Sequence, residues 1–365
     1  MIIGKSPDQK MKKIAIIGSQ GIPSKYGGFE TLAEYLTQYL SNDYDITVFC
    51  SSKVFKNRIK RYNNSNLKYI PFSANGSSSI LYDSISLVLS LNYDKILILG
   101  ASSGLLMPVL WPWKKKFVFN SGGIDWKRSK WSLFAKRIIK ILERLAINNS
   151  GLIISDNQGI YDYIREEYSK ESVLIEYGGD QIYHIAPEIN DYEKYPFLRG
   201  KYAFSVARIQ PDNNIILILD SFIRCQDIPI VFVGNWNNSS YGLSLKKKYG
   251  NTSNIYLFDA IYDQKELNLL RSNCYVYVHG HSAGGTNPSL VEAMNLELPV
   301  LAFASGFNEY TTEGQALYFR SSDDLMKIMK SIDDLKVTEI RKQMVKIAER
   351  RYKWSIITKK YANYL

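Results

Sequence analysis

The chain alternates short apolar runs with glycine-containing loops and amphipathic stretches. Residues 12–18 form an apolar run that ends at a glycine, a loop follows, and residues 29–40 then place apolar side chains at helical spacing. Similar apolar runs, each short enough for a buried strand, occupy residues 45–50, 95–100, 116–119 and 151–155. Strands that alternate with helices in this way predict a parallel sheet covered by helices on both faces.

A second series of the same kind follows a polar linker. Its apolar runs occupy residues 202–207, 228–234, 255–258, 275–278 and 299–303. The predicted fold class is therefore α/β, with two Rossmann-like domains whose parallel sheets face a central cleft. The predicted segments are a disordered leader, an N-terminal domain, a C-terminal domain and a C-terminal helical segment, at residues 1–10, 11–182, 200–341 and 342–365.

Composition and charge narrow the class of protein. The 365 residues are 45% hydrophobic and 22% charged, as in a folded globular chain. No apolar stretch has the length of a bilayer span or a signal-peptide core, which predicts a cytoplasmic protein. The net charge of +11 predicts an anionic substrate or surface. Cys50, Cys225 and Cys274 are widely spaced and fit core thiols better than a disulfide framework or a zinc site.

The most informative motif follows the apolar run at 275–278. It reads His281-Ser-Ala-Gly-Gly-Thr-Asn-Pro-Ser-Leu-Val and continues into Glu292-Ala-Met294. Its paired glycines open a helix, so free backbone N–H groups meet the end of a strand and predict an anion site. Glu292 lies about two turns inside the helix and is well placed to reach a neutral, hydroxyl-bearing part of the anion. Because a nucleotide sugar has both parts, donor binding is expected from His281, Gly284, Gly285, Thr286, Asn287 and Glu292.

Two further segments border the predicted cleft. Gly27 and Gly28 open the first long helix and are expected to let it approach the donor phosphates, although a plain strand-to-helix turn is the alternative. Gly18 and Gly21 do not continue the spacing of a dinucleotide fingerprint, which argues against a nicotinamide enzyme. Arg208 follows the first strand of the second domain and can hold a diphosphate as it leaves; a merely solvated arginine is the alternative.

Little in the chain predicts a metal site. His279 and His281 stand two residues apart at a strand end, so only one of them is expected to point into the cleft, with no third ligand nearby. Asp43 and Asp45 form a D-x-D pattern, but they precede a strand and are therefore expected at the edge of the sheet opposite the cleft. No metal or other cofactor is predicted.

Residues 111–144 are rich in both basic and aromatic side chains. Over residues 130–144, apolar side chains fall on one helical face beside basic ones, as in a helix that lies on an anionic membrane surface. The residues expected to face that membrane are Lys130, Trp131, Lys136, Arg137 and Lys140. An ordinary packed helix with a solvated basic edge is the alternative. Nucleic acid is not an expected partner, because the sequence contains none of the recognised binding modules.

Several of these motifs together resemble one family. Arg208 in its strand-Arg-x-x-Pro turn, the loop Gly284-Gly-Thr-Asn287 and the run Glu292-Ala-Met294 resemble the C-terminal half of a GT-B glycosyltransferase of family four. Within that family, residues 18–30 and 120–131 are similar to a bacterial rhamnosyltransferase subgroup that acts in cell-wall, capsule and O-antigen polysaccharide synthesis. The resemblance covers nearly the whole chain from residue 11 onward.

Two positions depart from the family's usual pattern. Of the two glutamates eight apart that family-four enzymes usually carry, Glu292 matches the second, whereas the first position is Gly284, as in the subgroup. Asn213 stands where a lysine usually joins the arginine on the diphosphate. The resemblance therefore implies that donor binding depends on Arg208 and the loop amides, with Asn213 beside them, and that no carboxylate grips the sugar from position 284.

The resemblance also implies a retaining transfer that needs no metal ion. Arg208 and the helix amides would stabilise the leaving diphosphate, and Glu292 would hold the nucleotide's sugar ring. Asp125, in a loop beyond a first-domain strand, is the candidate to contact the acceptor or the reacting hydroxyl. The implied donor is dTDP-rhamnose, and the expected acceptor is a polyprenyl-diphosphate-linked saccharide at the inner face of the plasma membrane. The alternatives are a same-fold transferase that uses another nucleotide sugar, a sugar-nucleotide epimerase, and a non-catalytic sugar-nucleotide-binding subunit.

Overall fold

The computed structural model describes residues 11–25 and 27–365, so the predicted leader at residues 1–10 lies outside the described residues. The first domain is built on one sheet of eight strands. These are β1 (Lys13–Ile17), β2 (Asp45–Ser51), β3 (Arg61–Tyr62), β4 (Ser65–Ile70), β5 (Lys95–Leu99), β6 (Phe117–Asn120), β7 (Leu152–Ser155) and β8 (Val173–Leu174). Their order is β3-β4-β2-β1-β5-β6-β7-β8, and neighbours pair in parallel except β3 and β4, which are antiparallel.

Both faces of this sheet are buried. On β1, Ile14 and Ile16 belong to one apolar core and Ala15 and Ile17 to another, because successive side chains of a strand point to opposite faces. This is why β1 is apolar at consecutive positions rather than at alternate ones. The long helices of the first domain are α1 (Gly28–Leu40), α2 (Ser79–Leu89), α3 (Leu133–Asn148) and α4 (Gln158–Tyr168).

The second domain follows a short linker helix, α5 (Ile189–Lys194). Its sheet contains β9 (Ala203–Val206), β10 (Ile230–Val233), β11 (Ile255–Phe258), β12 (Val276–His279), β13 (Val300–Phe303) and β14 (Leu317–Phe319). The strands lie in the order β11-β10-β9-β12-β13-β14, and all pairs are parallel. The helices between them are α6 (Ile215–Ile223), α7 (Ser240–Tyr249), α8 (Gln264–Ser272), α9 (Pro288–Asn295), α10 (Gly306–Thr311) and α11 (Ser322–Ser331). The predicted α/β class with two parallel-sheet domains is confirmed.

The chain ends on two helices, α12 (Asp334–Arg351) and α13 (Trp354–Ala362), and the second of them returns to the first domain. The Trp354 ring stacks on Tyr35 of α1 at 4.5 Å between centroids and 5° between planes. Asn120, at the end of β6, donates from Nδ2 to the Tyr361 hydroxyl at 2.6 Å. The polypeptide therefore crosses between the domains twice, once through the linker and once between α12 and α13.

Candidate functional site

The candidate site lies where loops at the carboxyl ends of the two sheets meet. Gly28, at the start of α1, faces Pro288 at the start of α9, and a Cβ built on Gly28 would stand 3.7 Å from Pro288 Cγ. Its neighbour Gly27 has a φ of 129°, in the region that favours glycine. A Cβ on Gly123 would stand 2.9 Å from the Cα of Gly284. Because these loops touch, the domains would have to move apart before a nucleotide sugar could bind between them.

The loop that precedes α9 is shaped by its own side chains. Asn287 caps the helix, since its Oδ1 accepts from the backbone N of Ser289 at 3.0 Å and from the Ser289 hydroxyl at 2.8 Å. The Thr286 hydroxyl donates to the backbone carbonyl of Asp156 in the first domain. Gly284 has a φ of 123°. Thr286 and Asn287 were both predicted to bind the donor. Because their side chains hold the loop, the contacts that they could offer an anion are those of their backbone amides.

Three cationic side chains from both domains converge beside this loop. Arg208 follows β9, and Arg128 and Lys130 follow β6. Burial, reinforced by the charges of the two arginines, lowers the pKa of His281 to about 3. Burial also lowers the pKa of Lys130, and the same two arginines act in the same direction. Arg128 Nη2 would stand 4.0 Å from a Cβ built on Gly284. The cations therefore stand where an anionic ligand such as a diphosphate could pair with them.

The turn that carries Arg208 is stabilised by a hydrogen bond within the turn and by one to the first domain. Asn213, predicted to face the donor, is buried, and its Nδ2 donates to the backbone carbonyl of Arg208 at 2.5 Å. In the same turn Asp212 accepts from the backbone N of Ser129 at 3.2 Å, a contact between the two domains. The Asn213 amide therefore positions the arginine loop.

Asp125, predicted to contact the acceptor, lies inside the cationic group. Its Oδ1 is 3.2 Å from Arg128 Nε and 3.6 Å from Lys130 Nζ, and its Oδ2 accepts from Trp131 Nε1 at 3.0 Å. The carboxylate is still 43% exposed, so it orients the two cations and remains accessible from the cleft.

These contacts correct part of the predicted membrane-facing surface. Lys130 and Trp131 lie against Asp125 at the cleft, because α3 begins only at Leu133 and the helical spacing assumed for residues 130–144 does not reach back to them. Lys140 lies on the helix but is engaged by the protein, with its Nζ 2.7 Å from Glu167 and 4.6 Å from the centroid of the Trp126 ring. Lys136 is half-buried and Arg137 is exposed.

The two histidines at the end of β12 do not behave as predicted. Their rings stack at 4.5 Å with 12° between planes, so both lie on the same side of the strand. The prediction that only one could face the cleft was wrong, because residues two apart on a strand share a face. Neither ring nitrogen of His279 has a hydrogen-bond partner among the described residues, and its burial holds the imidazole pKa well below the usual range. Both rings are therefore neutral near pH 7.

The Glu292 carboxylate is held in place by two protein side chains. It forms an ion pair with Arg271 of α8, whose side chain is only 1% exposed. Its Oε1 also accepts from Gln181 Nε2 at 2.6 Å, and Gln181 Oε1 accepts from Trp354 Nε1 at 2.8 Å. Glu292 thus joins the second domain to the linker and to the start of α13, and its remaining lone pairs are those that a ribose could reach.

Two carboxylates at the cleft were not assigned as site residues from the sequence. Asp156 directly follows β7, and its side chain reaches the loop at Gly285. Glu30 lies under the Gly27 turn, where its Oε1 accepts from the backbone N of Gln20 at 2.8 Å, and burial raises its pKa. Asp156 could have been predicted from the sequence, because a polar residue at the carboxyl end of a buried strand lies at the ligand-binding edge of a parallel sheet.

The described residues form neither a metal-binding cluster nor a membrane-spanning helix. Within residues 11–25 and 27–365, no group of three or more His, Cys, Asp or Glu side chains is arranged to hold a metal ion. Asp45 is the first residue of β2 and its Oδ1 accepts from Asn66 at 3.0 Å, at the edge of the sheet opposite the cleft. Over the same residues, no helix has the length and apolar character needed to cross a membrane.

Comparison of the sequence with protein families assigns each half of the chain separately. Residues 11–180 match a family described as a domain of unknown function, DUF1972, and residues 189–354 match the family described as glycosyl transferases group 1. The second domain therefore carries a glycosyl transferases group 1 domain. No curated protein sequence is a significant match to the chain.

Solved structures resemble the whole chain at low sequence identity. A sucrose-phosphate synthase from Thermosynechococcus elongatus has a TM-score of 0.77 at 14% identity, with 96% of this chain and 98% of that chain covered. HepE from Anabaena in complex with UDP-glucose has a TM-score of 0.73 at 16% identity, covering 97% and 99%. A UDP-forming trehalose-phosphate synthase from Burkholderia vietnamiensis has a TM-score of 0.70 at 10% identity, covering 96% and 99%. The fold is GT-B.

Proposed function

We propose that this chain, a GT-B protein whose second domain is a glycosyl transferases group 1 domain, moves a sugar from a nucleotide-sugar donor to a polyprenyl-diphosphate-linked saccharide. The donor we propose is dTDP-rhamnose, and the reaction retains the configuration of the anomeric carbon without a metal ion. The observation that carries the proposal is the meeting of Arg128, Lys130 and Arg208 beside the glycine loop before α9.

The cations and the loop explain how such a transfer proceeds. When the bond between the anomeric carbon and the diphosphate oxygen breaks, negative charge grows on the leaving nucleoside diphosphate. Arg208 and Arg128 stabilise that charge from opposite domains. The acceptor oxygen forms the new bond on the same face, and its proton leaves with the departing phosphate oxygen. Domain closure brings the two arginines together, so donor binding and cleft closure assist each other.

The uncharged ribose of the donor can hydrogen-bond to Glu292. Glu292 faces the second domain's side of the cleft and accepts hydrogen bonds, as ribose hydroxyls require. HepE, a protein of the same fold, binds UDP-glucose, which supports a nucleotide-sugar donor here. The subgroup resemblance of residues 18–30 and 120–131 favours rhamnose as the transferred sugar.

An exposed apolar strip supports a lipid-linked acceptor. The strip consists of Leu105, Val109, Trp111, Leu133, Phe134 and Ile141, all more than half exposed. It runs along α3 and along the segment that packs beside it, where Gly104 lies against Leu142. Exposed basic side chains, Lys115, Arg137 and Arg144, lie on the same two segments. Apolar side chains beside basic ones fit an anionic membrane surface, and we propose peripheral attachment there.

The strip also begins where the cleft ends. Leu133 follows the cleft residues Lys130 and Trp131 by two positions, so a membrane under α3 would present lipid-linked saccharides next to the cationic loop. This connection between the strip and the cleft favours an acceptor held in the membrane over a soluble one.

The proposal is tested by incubating the purified protein with UDP-, dTDP- and GDP-linked sugars, with and without a polyprenyl-diphosphate-linked saccharide, and with EDTA. A mass increase of one sugar on the lipid-linked acceptor, unchanged in excess EDTA, is the expected result. Interconversion of nucleotide sugars without an acceptor would instead identify an epimerase. Binding of a nucleotide sugar with neither reaction would identify a non-catalytic subunit.

A further inference from the structure

We propose that Asp156 of the first domain accepts hydrogen bonds from the hydroxyl groups of the donor sugar, and so supplies across the cleft the carboxylate that the loop of the second domain lacks at positions 284 and 285. This inference rests on the proposed function, because it requires a nucleotide sugar at that loop. It assigns a specificity-determining residue to the domain opposite the one expected to hold the donor.

The position of Asp156 is set by the loop itself. A Cβ built on Gly285 would overlap the Asp156 carboxyl group, so the carboxyl group fills the space beside that glycine. The Thr286 hydroxyl donates to the Asp156 backbone carbonyl, which fixes the residue against the loop. Gly284, the neighbouring position, has a φ of 123° that disfavours any side chain. Because Gly284 and Gly285 have no side chains, the carboxyl group of Asp156 from the first domain can lie against this loop.

Asn157, the residue after Asp156, stabilises this arrangement through three hydrogen bonds. Asn157 Nδ2 donates to Thr311 Oγ1 at 3.1 Å and to the Phe307 carbonyl at 3.2 Å, both in α10. Its own Oδ1 caps α4 by accepting from the backbone N of Gly159 at 2.9 Å. Asn157 therefore ties the backbone beside Asp156 to α10 of the second domain.

The carboxyl group of Asp156 still has capacity to accept hydrogen bonds. Its Oδ1 is inaccessible to solvent and has no hydrogen-bond partner among the described residues. An unpaired buried acceptor is costly, and a ligand hydroxyl is the kind of donor that would satisfy it. Burial raises the pKa of Asp156 to about 7, while hydrogen bonds from the backbone N–H groups of Thr286 and Asp156 to the carboxyl group, and then the Arg128 charge, oppose the rise.

The other carboxylates of the cleft are already engaged. Asp125 contacts Arg128, Lys130 and Trp131, and Glu292 contacts Arg271 and Gln181. Asp212 accepts from the backbone N of Ser129, and Glu30 accepts from the backbone N of Gln20. Among these carboxylates, Asp156 is the one beside the glycine loop that has a buried oxygen without a hydrogen-bond partner among the described residues. A hydroxyl group of the donor sugar can supply the hydrogen bond that Asp156 Oδ1 lacks.

The test compares two affinities in the same protein samples. Calorimetry measures binding of UDP, dTDP and GDP, and of their sugar conjugates, to the parent protein and to Asp156→Asn. The expected result is that the affinity for the preferred nucleotide sugar falls about ten- to a hundredfold, as for the loss of hydrogen bonds to a charged group. The affinity for the matching nucleoside diphosphate should stay within about threefold, which also shows that the variant folds. Asp227→Asn, an exposed aspartate before β10 at the opposite edge of the sheet, is the matched control.

Three results would overturn the inference. If Asp156→Asn binds the sugar conjugate as tightly as the parent does, Asp156 does not contact the sugar. If the variant binds both the diphosphate and its conjugate more tightly, the Asp156 carboxylate merely occupies the anion site until a phosphate displaces it. If the parent binds no nucleotide of the panel, the proposed function fails, and the inference fails with it.

Discussion

Arg271 and Glu292 form an ion pair in which the arginine is buried beneath α9 and the glutamate reaches the cleft. Arg271 Nη2 also donates to Asn268 Oδ1 at 2.9 Å. Removing the carboxylate would leave this buried guanidinium without its counter-ion. We therefore predict that Glu292→Ala lowers the free energy of unfolding by about 3–5 kcal/mol, measured by urea denaturation. Glu349→Ala, at an exposed position of α12, should change it by less than about 0.5 kcal/mol.

A double variant of the same ion pair tests stability and ligand binding separately. The double variant Arg271→Met with Glu292→Leu replaces both charges by apolar groups and should recover most of the lost stability, because a buried pair contributes little beyond an apolar contact. If Glu292 also holds the ribose, donor affinity should stay low in this stable variant. Recovery of both properties would show that Glu292 serves the fold alone.

Arg208 carries the second prediction. Asn213 stands where the family usually has a lysine, and its amide is bonded to the Arg208 carbonyl, so the second domain's side-chain charge on the diphosphate would come from Arg208. Arg208→Ala should raise the barrier to transfer by roughly 3–4 kcal/mol, which is on the order of a hundred- to a thousandfold in rate. Arg224→Ala, at the exposed end of α6, removes an equal charge away from the cleft and should leave transfer unchanged. Transfer by Arg208→Ala within tenfold of the parent rate would remove Arg208 from the site.

The sequence predicted the fold well where apolar runs are buried on both faces. The run at 255–258 coincides with β11, and the helix predicted at 29–40 is α1 with one residue added at its start. Strands β4 and β14 were not predicted from the sequence. Most β4 side chains are half-buried and alternate with polar ones, and β14 has only three residues, so neither forms a recognisable apolar run.

The candidate site was only partly predictable, because its decisive contacts join distant parts of the chain. The loop at 284–287 could be identified from its glycines and from the strand before it. That Asp156 lies against Gly285, or that Asn213 turns inward to the Arg208 carbonyl, depends on how two domains and one turn pack. Local spacing carries no information about either contact.

A third prediction concerns pH. Burial raises the pKa of Asp156 in the folded protein to about 7, whereas an unfolded aspartate titrates near its usual value of about 3.9. Between these values the folded state holds a proton that the unfolded state has released, so stability falls as pH rises toward 7 and levels off above it. For one proton the slope is at most about 1.4 kcal/mol per pH unit. In urea denaturation from pH 5 to pH 8, Asp156→Asn should show a shallower decline than the parent. Parallel curves would place the Asp156 titration outside this range.

The last prediction tests the proposed membrane attachment with residues that the structure leaves exposed. Leu133 is 80% exposed and Phe134 is 73% exposed, at the end of α3 nearest the cleft. Burial of each side chain in a lipid surface would contribute about 1.5–3 kcal/mol, so replacing both with Ser should weaken binding to phosphatidylglycerol vesicles by more than tenfold. Leu335→Ser is the matched control, because Leu335 is 83% exposed on α12 in the second half of the chain, away from the strip. Adding Lys136→Gln and Arg137→Gln should reduce the salt-sensitive part of binding, since each basic residue near an anionic surface contributes about 1 kcal/mol and Lys115 and Arg144 remain. Lys130 and Lys140 are left intact, because Asp125 and Glu167 already engage them. If the Leu133 and Phe134 variant sediments with the vesicles as the parent does, the strip is not the lipid-binding surface, and the acceptor must reach the cationic loop from solution.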